Sequence, residues 1–109
     1  IKQRLRLHGI DTPETRTRDR TEKKVGMMAK ARVQELLEVG KTYPIWTVEK
    51  GKFGRYLARI YLDEARNQCV NDMLVEENLA LIYFGGSKAD VKIALNHMYN
   101  RLRKKGVKL

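Results

Sequence analysis

The sequence predicts an α+β domain, and three observations support that prediction. Apolar and basic residues alternate over residues 1–7, which is the period-two pattern of a half-buried strand with a basic outer row. Apolar residues recur at helical spacing over about residues 25–39, which predicts an amphipathic helix. Ser87, with Asp90 three residues later, forms a capping-box pattern that opens another long helix. At 109 residues, the chain has room for one such domain.

The other predicted elements are two strands that form a hairpin, a short helix, an apolar extended segment and the C-terminal helix. In chain order they occupy Tyr43–Val48, Arg55–Leu62, Val70–Asn78, Leu79–Phe84 and residues 87–105. Pro44 places the start of the first hairpin strand at a sheet edge. Gly9 permits a bend after the N-terminal strand. Such a bend matters because side chains five residues apart on a straight strand point to opposite faces.

The composition excludes several classes of protein. Hydrophobic residues make up 42% and charged residues 33%, a balance too apolar for a disordered chain. One Cys rules out an internal disulfide and any Cys-rich zinc site, and two His leave too few ligands for a His-based zinc centre. No apolar run approaches the roughly 18 residues that a membrane span needs. The 23 Lys and Arg outnumber the 13 Asp and Glu, and the net charge of +10 favours nucleic acid over an acidic membrane as partner.

Two segments concentrate the positive charge. Residues 101–109 hold five cations and no acid, which suits either a solvated helix end or a polyanion-binding surface. Residues 16–24 hold five cations against two acids and contain no apolar residue, which predicts a mobile basic loop. That loop either contacts phosphate or is simply solvated.

Chemistry-bearing residues gather in the segment RLHGIDTPET, which contains Arg6, Asp11, Thr12 and Glu14. Two carboxylates three residues apart on a turn, beside a strand arginine, can hold a hard cation and a phosphate together. Oxygen ligands without His or Cys point to Ca²⁺ or Mg²⁺. The competing interpretation is local capping, in which Asp and Thr before Pro stabilise a turn through their own backbone.

A second motif, KFGRYLARIYL, covers residues 52–62. Gly54 allows a tight turn there, and Arg55 lies at the start of the following strand. An arginine in that position can form two parallel hydrogen bonds to a phosphate. An ordinary arginine at the end of a hairpin is the alternative.

Together these segments resemble the staphylococcal nuclease (thermonuclease) family, over roughly Leu5 to Arg103. The motifs that carry the resemblance are RLHGIDTPET, KFGRYLARIYL and VNDMLVEENLALIYF. The resemblance implies an OB-fold, which is a five-stranded β-barrel with about three helices, and hydrolysis of DNA and RNA with little sequence preference. An upstream Asp-containing segment and about two strands of the family have no counterpart here. We therefore expect residues 1–109 to be one domain of this family that lacks its first strands.

The resemblance also implies roles for individual residues. Arg6 matches the first catalytic arginine, which binds the scissile phosphate, and Arg55 matches the second, which stabilises the developing charge. Asp11 matches a carboxylate ligand of a single Ca²⁺ ion. Thr12 matches the residue whose backbone carbonyl binds that ion. Glu14 matches the glutamate that orients or deprotonates the attacking water.

The substrate-binding residues implied by the resemblance are Lys52, Phe53 and Tyr83. Phe53 stands where the family often has tyrosine, so its ring can stack but offers no hydroxyl. The implied partners are DNA and RNA, with single strands preferred, and the expected state is a monomer without membrane contact. A need for Ca²⁺ favours a secreted or periplasmic location, where that ion is abundant.

Two other functions compete with a metal-dependent nuclease. In the first, the same fold binds nucleic acid without cutting it, as OB-folds do through basic grooves and aromatic side chains. The acids Asp11 and Glu14 argue against it, whereas the missing upstream Asp argues for it. The second is a different nuclease chemistry, with Asp11 and the E-x-K triplet Glu22-Lys23-Lys24 as metal site and lysine as general base. It needs the triplet on a buried strand, and residues 16–24 are too polar for one.

Overall fold

Five strands and three helices make up the described part of the protein. The computed structural model describes residues 5–50 and 56–109, with side chains through residue 47 in the first of these ranges. The strands are β1 (Leu5–Leu7), β2 (Ile10–Asp11), β3 (Ile45–Lys50), β4 (Tyr56–Ile60) and β5 (Leu81–Ile82). The helices are α1 (Arg20–Leu36), α2 (Val70–Glu76) and α3 (Lys88–Lys104). The predicted α+β class is therefore confirmed.

The strands form two small open sheets. The three-stranded sheet has the order β1-β4-β3, with β1 parallel and β3 antiparallel to β4. The second sheet pairs β2 with β5 in antiparallel fashion, so that Ile10 lies opposite Ile82. The predicted pairing of the two hairpin strands is confirmed as β3 and β4, with Ile45 opposite Ile60. The described strands do not close into a five-stranded barrel.

All three helices contribute to one hydrophobic core. Val25 of α1, Val70 and Leu74 of α2, and Met98 of α3 are each 0% exposed. Ile10 of β2 belongs to the same cluster of buried side chains. The apolar faces predicted from helical spacing are therefore the faces that pack. Removal of their surface from water is the main force that holds the helices against the strands.

The first helix begins earlier than its apolar spacing predicts. α1 starts at Arg20 because Asp19 caps it, accepting a hydrogen bond from the Glu22 backbone N–H at 3.0 Å. The prediction of a loop over residues 16–24 is therefore wrong from Arg20 onward. Spacing could not detect this first turn, since the segment holds no apolar residue; the capping aspartate was the usable signal. The helix ends at Leu36, before the predicted residue 39.

The C-terminal helix follows its predicted capping box. The Ser87 hydroxyl accepts from the Asp90 N–H at 3.1 Å, and the Asp90 carboxylate accepts from the Ser87 N–H at 3.4 Å. α3 ends at Lys104, and Gly106 follows in the left-handed conformation with φ of +94°. The 17 residues of α3 extend over about 25 Å. Within the described ranges, no helix has both the length and the apolar character needed to cross a membrane.

Candidate active site

The turn between β1 and β2 brings two candidate side chains together. Gly9 has φ of +78°, in the left-handed region, so the chain reverses where another residue would be strained. After this bend, the Arg6 guanidinium donates a hydrogen bond to the Asp11 carboxylate at 3.1 Å. The bend predicted at Gly9 is therefore confirmed, and it converts a separation of five residues into an ion pair.

The Arg6–Asp11 ion pair is open to solvent, with side-chain exposures of 44% and 32%. An exposed pair of this kind contributes only about 0–1 kcal/mol to stability. Within the described part of the chain, Arg6 donates to no side chain other than Asp11. The pair thus presents an arginine with open N–H donors and a carboxylate side by side at an accessible surface.

A buried asparagine that sequence reasoning missed holds this turn in place. The Asn71 side chain is 0% exposed. It donates to the carbonyls of His8 and Ala58 at 3.0 Å each, and it accepts from the Ile60 N–H at 3.3 Å. These bonds join the β1–β2 turn, strand β4 and helix α2. The signal in the sequence is a polar residue beside the apolar Val70 in a short predicted helix.

Gly26 of α1 fixes the backbone segment that carries Glu14. A side-chain carbon at Gly26 would lie 2.7 Å from the Pro13 carbonyl oxygen and 2.8 Å from the Glu14 carbonyl oxygen. Only glycine lets the helix approach this closely, because backbone carbonyls cannot swing aside as side chains do. Sequence reasoning missed this contact, since an isolated glycine in a helical pattern indicates only a weaker helix. Thr12 and Glu14 themselves are exposed.

An open cleft of about 590 Å³ lies beside Glu14. Its opposite wall comes from α3 and includes Lys88 and Lys92. Tyr99 also lines the cleft, is 4% exposed, and has a buried hydroxyl without a hydrogen-bond partner among the described residues. Burial raises the pKa of Tyr99 to about 12, and nearby carboxylates such as Glu22 add to the shift. The cleft is within the size range of small-molecule sites.

Tyr83 lies next to the β1–β2 turn, because its backbone N–H donates to the Gly9 carbonyl at 2.9 Å. The side chains of Tyr83 and Phe84 are 58% and 51% exposed. Two exposed aromatic rings in sequence offer a surface on which a flat ligand can stack. The other sequence-predicted site residues lie outside the described residues: Lys52, Phe53 and Arg55.

The oxygen donors of Asp11 and Thr12 are of the type that a hard cation prefers. Asp11 offers a carboxylate and Thr12 a backbone carbonyl, and Ca²⁺ prefers such oxygen ligands. The described residues contain no group of three or more His, Cys, Asp or Glu side chains that could hold a metal ion. Because Ca²⁺ takes about six to eight ligands, the remaining ones would come from water, substrate or other parts of the chain. The donor chemistry is therefore compatible with calcium, for which these two residues would supply part of the shell.

The E-x-K triplet lies on a helix, whereas the alternative metal site needs it on a buried strand. Glu22, Lys23 and Lys24 lie near the start of α1, and both lysines are exposed. A buried strand is required there, and a solvent-facing helical turn cannot replace it. We therefore set that chemistry aside.

The fold defines a small basic α+β domain that presents an exposed Arg6–Asp11 ion pair and, beside the same turn, the exposed ring of Tyr83. The family model of staphylococcal nuclease homologues matches residues 4–109. The chain therefore belongs to the staphylococcal nuclease family, which confirms the resemblance of its motifs. A search of curated proteins gave no match to the chain. Family membership indicates a nuclease-like or nucleic-acid-binding function.

Replacing Gly26 with alanine tests whether the close approach of α1 positions Glu14. The added methyl group must displace the helix or the Pro13–Glu14 backbone, at a cost of about 1–3 kcal/mol in the free energy of unfolding. On the nuclease-like function that family membership indicates, we expect cleavage of nucleic acid by the folded variant to fall at least tenfold. Gly40→Ala is the control, because Gly40 has φ of +89° and open space around it. It should lose stability through strain and keep its cleavage rate. Equal rates for Gly26→Ala and wild type would contradict the prediction.

Tyr99 should make stability depend on pH in the alkaline range. Its pKa of about 12 in the folded protein exceeds the ordinary value of 10.0, so folding binds this proton more tightly. That stabilisation is complete below pH 10 and is lost as pH rises toward about 12. Tyr99→Phe should lack this loss and be at least as stable as wild type near neutral pH, because the unpartnered hydroxyl is gone.

Urea unfolding between pH 8 and 12 measures this effect. Tyr83→Phe is the matched control, since it removes an exposed hydroxyl and should follow the wild-type profile. If Tyr99→Phe loses stability in parallel with wild type over this range, the buried hydroxyl is not the cause.

Proposed function

We propose that the protein is a calcium-dependent phosphodiesterase that hydrolyses DNA and RNA with little sequence preference. The observation that carries this proposal is the accessible Arg6–Asp11 contact at 3.1 Å. Thr12 and Glu14 follow directly after β2. Membership in the staphylococcal nuclease family and a net charge of +10 support the choice of substrate.

Arg6 binds the scissile phosphate in this proposal. Its planar guanidinium can form two parallel N–H···O bonds to phosphate oxygens. Because arginine stays protonated, it supplies fixed charge and geometry and takes no part in proton transfer. Arg55, by its match to the family's second catalytic arginine, stabilises the charge that develops on the phosphoryl oxygens. Donors fixed in advance are effective because they need no reorganisation during the reaction.

Asp11 and the Thr12 carbonyl hold the calcium ion. When bound, the ion supplies positive charge that neutralises the phosphate. The contact with Arg6 orients the Asp11 carboxylate, so that a cation and a phosphate can be held at one place. Undiminished cleavage in excess chelator would remove calcium from the proposal.

Glu14 orients the attacking water and accepts its proton. Its side chain is exposed and borders the cleft, so water reaches it freely. A carboxylate within hydrogen-bond reach of the water can serve as a general base, an effect of about 10²–10⁴ on the rate. The packing of Gly26 against the Pro13–Glu14 backbone limits how far this carboxylate can drift.

The substrate contacts and the rest of the fold belong to the same proposal. Bases of a single strand stack on the exposed ring of Tyr83, and Lys52 and Phe53 take part by their match to the family. The two open sheets meet at Gly9, whose carbonyl accepts from the Tyr83 N–H at 2.9 Å. We infer from this junction that they belong to the family's five-stranded barrel, within one domain that acts as a monomer.

The second candidate function is binding of single-stranded nucleic acid without cleavage. The exposed rings of Tyr83 and Phe84 and the basic charge favour it, because stacking and phosphate contacts are sufficient for such binding. Binding alone has no use for the carboxylate of Glu14 beside a phosphate. The two functions therefore differ in what that residue does.

Glu14→Gln separates the two candidates. Glutamine keeps the size and polarity of the side chain but cannot accept a proton as a carboxylate does. In single-turnover assays with calcium, we expect cleavage of single-stranded DNA to fall by about 10² or more. Binding of the same DNA in chelator should hold or tighten slightly, since a negative charge near the phosphate is lost.

Glu64→Gln is the matched control, because Glu64 is an exposed glutamate outside the candidate site. It should cleave like wild type. A Glu14→Gln variant that cuts at the wild-type rate would exclude Glu14 as the base. Absence of cleavage by the wild-type protein in calcium, with binding intact, would favour the binding function.

A further inference from the structure

Exposed cations from two distant parts of the sequence meet on one surface. The basic band, as we name it, comprises Arg20, Lys23, Lys24, Lys104, Lys105 and Lys108, and each of these residues is exposed. The Lys24 side chain donates to the backbone carbonyl of Lys108, which joins the start of α1 to the C-terminal segment. The two charged segments seen in the sequence therefore form one surface.

The cations of the basic band have no carboxylate partners within the described ranges. All five ion pairs found there involve other cations. Uncompensated like charges repel one another and oppose the compact state. The band is therefore unlike Arg32 or Arg59, whose charges are balanced by Glu77 and Asp72.

Helix electrostatics explains only one part of the band. Lys104 lies in the last turn of α3, where cations are favourable. Arg20 and Lys23 lie at the start of α1, where the helix dipole makes cations unfavourable. Solvation of a helix end accounts for the cations at the C-terminus of α3 but not for those at the N-terminus of α1. Binding of a polyanionic partner accounts for both groups.

The band begins at the cleft beside Glu14 and leads away from it. Asp19 and Glu22, at the start of α1, line that cleft together with Lys88 at the start of α3. The cleft runs along α3 from Lys88 to Tyr99, and Lys104 lies five residues beyond Tyr99 on the same helix, which is about 7.5 Å along the axis. That length corresponds to about two steps of one strand at about 3.4 Å per nucleotide.

We propose that the basic band binds the nucleic-acid strand where it leaves the cleft, on one side of the cleaved phosphate, so that long strands bind better than short ones. This inference rests on the proposed function for its choice of polyanion. An acidic membrane surface is the competing partner, and the test includes it. Contacts of this kind are made equally before and during the reaction, so they act on substrate affinity and leave the chemical step unchanged.

The test compares Lys104→Gln/Lys105→Gln with the control Lys41→Gln/Arg66→Gln, which removes the same charge from exposed residues outside the band. Fluorescence anisotropy measures binding of a 20-nucleotide and a 4-nucleotide single-stranded DNA in chelator, where nothing is cut. We expect the band variant to bind the longer DNA about tenfold or more weakly in low salt. The slope of log K against log salt should fall by about 1.4, which is about 0.7 for each lost phosphate contact.

The short DNA should bind the band variant within about twofold of wild type, and the control should bind both DNAs as wild type does. Equal losses for the two DNA lengths, or equal losses for the control, would overturn the proposal. Binding to vesicles that contain an acidic phospholipid is measured in parallel. A band variant that binds these vesicles more weakly and binds both DNAs as wild type does would also overturn the proposal. If the band variant loses DNA affinity as expected while the protein cuts nothing in calcium, the proposed function fails and only the binding of nucleic acid by the basic band is supported.

Discussion

The buried side chain of Asn71 makes three hydrogen bonds, two donated and one accepted, that connect the parts on which the candidate site depends. A buried amide without partners would cost several kcal/mol, so the arrangement is stable only while all three bonds are made. The helix that carries Asn71 is anchored in the core by Val70 and Leu74, both 0% exposed. The β1–β2 turn is thereby tied to the core. The hydrogen bonds of Asn71 therefore position the Arg6–Asp11 ion pair, since exposed charges cannot hold a fixed arrangement by themselves.

Two glycines also position the exposed candidate site relative to the buried core. Gly9 allows the bend that turns Arg6 toward Asp11, and Gly26 allows α1 to support the backbone of Glu14. Neither glycine has chemistry of its own. Gly9 permits a positive φ at which a side chain would be strained, and Gly26 permits a close backbone approach that a side chain would prevent.

Local sequence patterns predict the capping box and the apolar helix faces correctly. They do not predict contacts between residues that are distant in sequence. The capping box at Ser87 and the apolar faces of the helices depend on neighbours within a turn, so the sequence reveals them. The bond between Asn71 and His8 spans 63 positions, and no local pattern indicates it. Leu5 lies on the apolar face predicted for the N-terminal strand and is 43% exposed, because burial depends on which elements cover a strand. The candidate residues themselves were identified through motifs, since exposed charges leave no packing signal.

The most direct test of this account is the single-turnover cleavage rate of Asn71→Ala, measured in calcium under conditions where the variant is folded. Val33→Ala is the control. Val33 is a partly buried residue of α1 that packs against the core, and it is far in sequence from the β1–β2 turn. We expect both variants to lose stability, Asn71→Ala by about 2 kcal/mol or more. Only Asn71→Ala should also lose cleavage, by at least tenfold, because Arg6 and Asp11 are no longer held in place. Wild-type cleavage by folded Asn71→Ala would contradict the claim that this buried amide sets the geometry of the site.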